Sequence, residues 1–192
     1  MSFLKKTLFF FSLAVLLPSC AGTGEQFPPV EGEAIPMRYS SLLSIVECDG
    51  YTVVDVADPW GESTMVRYLL VPTDSALPPE MPKGTLLRTP LENVIVLSGV
   101  HAGLLSELGV EESIKGVCDS RYMYNNAVTD GLATGAVVDC GSSLNIDAEA
   151  VMQVSPDAVF VLPYENGGFG KLENLDFPLV MCADYMESSP LG

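Results

Sequence analysis

The chain has 192 residues, enough for one domain of ordinary size, and 48% of them are hydrophobic, enough for a real core. Nine basic residues stand against twenty-five acidic ones, a net charge of −16. That balance argues against nucleic acid, whose phosphates demand basic patches, and against binding anionic lipid through the protein surface.

Residues 1–20 do not read as fold. Lys5 and Lys6 form a positive n-region, and Leu8 to Leu17 is an apolar run too short to span a bilayer stably. It ends in Leu17-Pro18-Ser19-Cys20, which resembles the lipobox of bacterial lipoproteins, with Ser19 as the small residue before the cysteine and Pro18 as a departure. The resemblance implies a lipoprotein signal peptide at 1–20. It also implies diacylglycerol on Cys20 and a periplasmic or cell-envelope location, with the membrane reached through the lipid anchor. Two acyl chains hold where one does not. Residues 21–35, with Gly22, Gly24, Pro28, Pro29 and Gly32, read as a flexible tether.

Residues 36–92 read as a β-rich N-terminal extension. Leu42 to Glu47 and Tyr51 to Val56 flank Cys48-Asp49-Gly50, a hairpin signal because both turn positions tolerate positive φ. Met65 to Val71 and Thr85 to Arg88 are further strands, separated by a proline-rich loop. From Asn93 the pattern alternates. Val94 to Leu97 suits a buried parallel strand, and a helix from about His101 to Leu108 stops at Gly109. Ile114 to Cys118 is a strand, followed by a polar loop rich in tyrosine and asparagine, then a strand over Ala136 to Asp139. A helix is expected over Ile146 to Ser155. Asp147 caps it, and Ile146 and Val151 form a hydrophobic staple. Ala158 to Leu162 and Leu179 to Cys182 complete the strands. The fold class is therefore α/β, a small parallel sheet flanked by helices over 93–192, preceded by the β-rich extension.

Catalysis finds no constellation, and the chain reads as no enzyme. His101 is the one histidine, so a metal site of several imidazoles is excluded. Ser98, three residues earlier, lacks a nucleophile-elbow pattern. Asn166-Gly167-Gly168-Phe169-Gly170-Lys171 fails the P-loop pattern, because Glu165 stands where a glycine is needed and Leu172 follows the lysine. It reads instead as a flexible loop whose glycines admit a ligand closely. Cys48, Cys118, Cys140 and Cys182 form no C-x-x-C pair. Free thiols are expected of them, with a Cys118–Cys140 bridge left open.

Val94-Ile95-Val96-Leu97-Ser98, the helix ending Leu105-Ser106-Glu107-Leu108-Gly109, and Ile114-Lys115-Gly116-Val117 together resemble the opening of the ferric-siderophore and cobalamin-binding periplasmic proteins of ABC importers. Gly141 to Val151 is similar to that family's glycine loop and following helix, and Val154-Ser155-Pro156-Asp157-Ala158-Val159-Phe160 to its proline-aspartate-strand signature. The likeness covers roughly 93–192. It implies the N-terminal lobe of a bilobal binding protein that takes an iron chelate (a ferric siderophore), haem or a corrinoid such as cobalamin between two lobes and delivers it to an inner-membrane ABC permease. It implies no cofactor. The sequence ends where the family's linking helix should begin, so the second lobe is missing and a truncated form is expected. The alternative is a single-lobe structural or interaction lipoprotein in an envelope uptake complex.

In open α/β sheets ligands face the loops at the C-terminal ends of the strands. Those loops hold Ser98 and His101; Arg121, Tyr122, Tyr124 and Asn125; Ser142 and Ser143; and Tyr164, Glu165 and Asn166. The tyrosines offer an apolar face with a polar tip, and Arg121 could pair with a ligand carboxylate. Glu149 falls off the apolar stripe of its helix. By resemblance it is the carboxylate that docks the lobe onto permease arginines. The net acidity disfavours highly anionic chelates and leaves neutral corrinoids and cationic chelates acceptable.

Overall fold

The structure is a computed structural model and describes residues 27–192. The expected signal peptide, Cys20 with its expected lipid, and residues 21–26 lie outside the described residues.

Five strands make the first sheet: β1 (Glu33–Ile35), β2 (Leu43–Cys48), β3 (Tyr51–Ala57), β4 (Thr64–Pro72) and β5 (Thr85–Thr89), paired in chain order. The Asp49-Gly50 turn joins β2 to β3 as expected, with Gly50 at φ 82°. β5 runs parallel to β4, because the proline-rich connection carries the chain back to the sheet's starting end. Side chains alternate across β3 and β4. Val54, Val56, Val66, Tyr68 and Leu70 face inward. Asp55 and Arg67, cross-strand partners, lie on the other face in a bidentate pair with both N–O distances 2.7 Å.

The tether expectation is corrected here. Arg67 is only 3% exposed and needs further acceptors and cover. The Pro28 carbonyl accepts from its Nη1 at 2.9 Å, and the Phe27 ring lies 5.0 Å from its guanidinium carbon. With β1 zipped to β2, residues 27–35 are strapped to the sheet.

The second sheet is wholly parallel: β6 (Val94–Val96), β7 (Ile114–Val117), β8 (Val138–Asp139), β11 (Ala158–Val161) and β12 (Leu179–Met181), in the order β12-β11-β6-β7-β8. Every residue of β6 is buried, as a central parallel strand requires. Val94 and Val96 point into a cluster with Ala102, Val128 and Leu105, under α1 (Gly99–Glu107) and α2 (Asn126–Thr134). Ile95 points the other way, into a cluster with Val151, Val159 and Cys140 under α3 (Ala148–Val154). Helices therefore cover both faces, and the chain is an α/β protein.

α3 starts as its sequence demands, with the Asp147 carboxylate accepting from the Glu149 and Ala150 amides at 2.9 and 3.3 Å. Ile146 and Val151 are both buried in one cluster. α1 begins two residues earlier than expected because Ser98 caps it. α2 replaces the expected polar loop. Asn125 accepts from the Val128 amide at 3.3 Å, Gly135 at φ 78° ends the helix, and Gly131 leaves room for Val137, whose Cγ2 would stand 2.4 Å from a Cβ there.

The two sheets share one core: Val56, Tyr68 and Leu87 of the first pack with Ala158 and Ala183 beside the second. The Glu187 carboxylate ties the chain's last segment to the start of β2. Burial opposes its charge, but the Ser40 and Ser41 hydroxyls and the Ser41 and Leu42 amides outweigh that and bring its pKa to about 2. Cys48, Cys118, Cys140 and Cys182 are free thiols.

Candidate functional site

Strand order decides where loops diverge. The chain leaves β6 for β7 and β8 on one side, then returns to lay β11 on the other, so a crevice opens at the C-terminal ends of β6 and β11. A pocket of about 320 Å³ lies there. Leu97 and Leu162 form its floor from the two strand ends, and Tyr164 and Phe169 come from the loop after β11. Ser143 and Leu144 come from the tip of a small hairpin, β9 (Gly141–Ser142) and β10 (Asn145–Ile146). Lys171 stands at its edge.

The hairpin tip is held from below. Asp119 sits in the left-handed region at φ 50°, and its Oδ2 accepts from the Ser143 hydroxyl at 2.5 Å and the Ser143 amide at 3.0 Å. These bonds hold the Asp119 carboxyl below the usual carboxylate range. The Leu144 amide donates to Ser142 Oγ at 3.3 Å, which fixes a leucine 93% exposed over the crevice. The opposite loop is tied by three bonds. Tyr185 Oη donates to the Pro163 carbonyl, the Gly167 amide to Tyr164 O at 3.0 Å with Asn166 left-handed at φ 54°, and the Phe169 amide to Glu173 Oε1 at 2.6 Å. Tyr164 itself is 58% exposed, with its ring available to a ligand.

Of the residues expected from sequence, Ser143 and Tyr164 line this pocket. Ser142 braces the hairpin, and Glu165 and Asn166 are exposed on the Tyr164 loop outside the lining. The others are occupied elsewhere. Ser98 Oγ accepts from the Val100 amide at 3.2 Å. Asn125 caps α2 and donates to Ser106 Oγ at 2.7 Å. Arg121 stacks on the Tyr122 ring at 4.7 Å, and Tyr122 and Tyr124 are exposed on the β7 side of the sheet. His101 is buried, its Nε2 3.1 Å from Asp184 Oδ1, in the wall of a separate apolar cavity of about 290 Å³ between α1, β2 and the end of β12. Glu149 is exposed in the first turn of α3. Sequence reasoning missed Leu144, Phe169 and Lys171. Gly168 and Gly170 of the glycine loop also line the pocket.

Among the described residues no group of three or more His, Cys, Asp or Glu is placed to hold a metal, and no helix is long and apolar enough to cross a membrane.

The fold and the crevice define an α/β protein with a small parallel sheet and a pocket where its strand order reverses. No protein-family model matches the chain. An uncharacterized lipoprotein of Methanocaldococcus jannaschii is 30% identical over 115 residues, spanning 56% of this chain and 28% of that protein. The chain thus spans under a third of the length of the curated relative it matches. Two solved structures are similar over 48% of this chain at 18% identity. A periplasmic haem binding protein from Pseudomonas aeruginosa has a TM-score of 0.38 and is covered to 31%. A periplasmic vitamin B12 binding protein of Vibrio cholerae has a TM-score of 0.35 and is covered to 34%.

Proposed function

We propose that the chain is the ligand-capturing lobe of a lipid-anchored substrate-binding protein that serves an ABC importer of iron chelates, haem or corrinoids. The crevice at the β6/β11 crossover carries the reading. Its wall combines the exposed Tyr164 ring, Phe169 and Leu144 on loops braced from behind, which suits one face of a flat, bulky ligand. In this reading residues 1–19 are removed and Cys20, the new N-terminus, holds the anchor, in keeping with the lipoprotein named as a relative. Residues 93–192 form the binding lobe, and the preceding β-rich segment buttresses it. Glu149, exposed at the start of α3, meets the permease.

A titration tests the reading. The full chain in detergent is mixed with haemin, cyanocobalamin or a ferric hydroxamate chelate, and the ligand's absorbance is followed. One of the three gives saturable binding, weak because a single lobe covers only one face of the ligand. No saturable binding of any of them up to about 1 mM refutes the reading.

A further inference from the structure

The chain is strongly acidic, yet the crevice pocket has a single charged side chain in its wall, and it is a cation. Lys171 follows the glycine loop and lies where the apolar floor meets solvent. Its Nζ is 3.5 Å from the Ile146 carbonyl, which holds the ammonium over the pocket and leaves further N–H donors for another acceptor. The neighbouring acids are directed elsewhere. Glu173 accepts from the Phe169 amide, and Asp147 caps α3. The Ser143 hydroxyl is given to Asp119, so Lys171 is the strong donor of the pocket.

We infer that this pocket takes a ligand with an apolar, ring-bearing body and a carboxylate, the carboxylate meeting Lys171. The inference rests on the binding-protein reading above and reverses the expectation drawn from net charge. Charges spread over a surface are screened within about 8 Å at physiological salt, whereas a charge facing a bound ligand acts across a few ångströms in a poorly solvated gap. A neutral ligand seated over Lys171 would strip water from the ammonium and give nothing back. An anionic one replaces that water with a charge-assisted hydrogen bond.

The test compares protoporphyrin IX with its dimethyl ester, the same body without the charges, and with cyanocobalamin. The full chain and its Lys171→Met and Lys171→Arg variants are titrated by absorbance. The free acid binds the unmodified chain about tenfold more tightly than the ester, as one charge-assisted bond implies. Lys171→Met lowers the acid to the level of the ester and leaves the ester unchanged, Lys171→Arg keeps the preference, and circular dichroism verifies the fold of each. Equal binding of acid and ester, or a preference that survives Lys171→Met, overturns the inference. Binding of cyanocobalamin with neither porphyrin overturns it while the binding-protein reading stands. Failure of all three probes overturns the inference, and failure of a ferric hydroxamate chelate as well removes the binding-protein reading too.

Discussion

Replacing Tyr68 by phenylalanine removes the oxygen through which the first sheet hydrogen-bonds to the edge strand of the second. Tyr68 is 3% exposed, and burial pushes its phenol pKa up, so the hydroxyl stays protonated. Its Oη donates to the Leu179 carbonyl at 2.9 Å and accepts from the Met181 amide at 2.7 Å. Both groups belong to β12, the edge strand, on the side away from β11. A phenylalanine keeps the apolar contacts and leaves a carbonyl and an amide without partners. An unsatisfied buried group costs about 1–3 kcal/mol, and water reaches the half-buried β12 in part, so the loss is about 2–3 kcal/mol. For a chain of this size that lowers Tm by roughly 5–10 °C. Urea and thermal unfolding followed by circular dichroism measure it, with one transition in each case because the sheets share a cluster. Amide exchange adds a local readout, since the Met181 N–H loses protection. A loss below about 0.5 kcal/mol, with Met181 still protected, refutes the bridging role.

Tyr164→Ala weakens binding of whichever ligand saturates in the proposed titration about tenfold, one aromatic contact's worth, with Tm unchanged; undiminished affinity removes Tyr164 from the proposed site. Glu149→Arg spares ligand binding and abolishes uptake in cells, and transport surviving the charge reversal refutes the docking role. Glu187 has a folded pKa of about 2, below its ordinary 4.5, so its contribution to stability is complete above pH 4.5 and fades as pH falls from there towards 2. Glu187→Gln lowers stability at neutral pH and flattens the acid limb in that window; parallel pH profiles for the two proteins disprove this. Burial pushes Cys118, Cys140 and Cys182 to about 12, 11 and 12, so they resist alkylation in the native state while the half-buried Cys48 reacts first. A Cys118–Cys140 disulfide in non-reducing peptide maps would contradict the thiol assignment.

Much of the fold was legible because its signals are local. The β6 run, the Asp49-Gly50 turn and the Asp147 cap each specify their element from adjacent residues. α2 escaped because Asn126, Val128, Thr129 and Gly131 are poor helix formers; its start is set by the Asn125 cap, and its Gly131 is chosen for contact with Val137. The packing of residues 27–35 was not legible because Phe27 and Pro28 are held by Arg67, 39 positions after Pro28, and no local pattern links them. The crevice was legible only as a set of loops. Which loops meet depends on β11 lying beside β6, and no local pattern states that order. Hence Tyr164 and Ser143 fall together at the pocket, Arg121 and Tyr124 stand apart from it on the β7 side of the sheet, and Leu144 and Lys171 gave no sign of facing a shared space.

The same strand order sets a timetable for assembly. In the first sheet each of β1 to β3 pairs antiparallel with its successor, so these hairpins close over short loops as soon as their residues are present. The second sheet has no such shortcut. Val94 pairs with Ala158, so β6 waits with one edge open until the chain has passed through β7, β8 and α3. Non-local parallel pairing of this kind is slow. The early-formed first sheet presents Val56, Tyr68 and Leu87 as a ready apolar wall against which the late strands β11 and β12 settle.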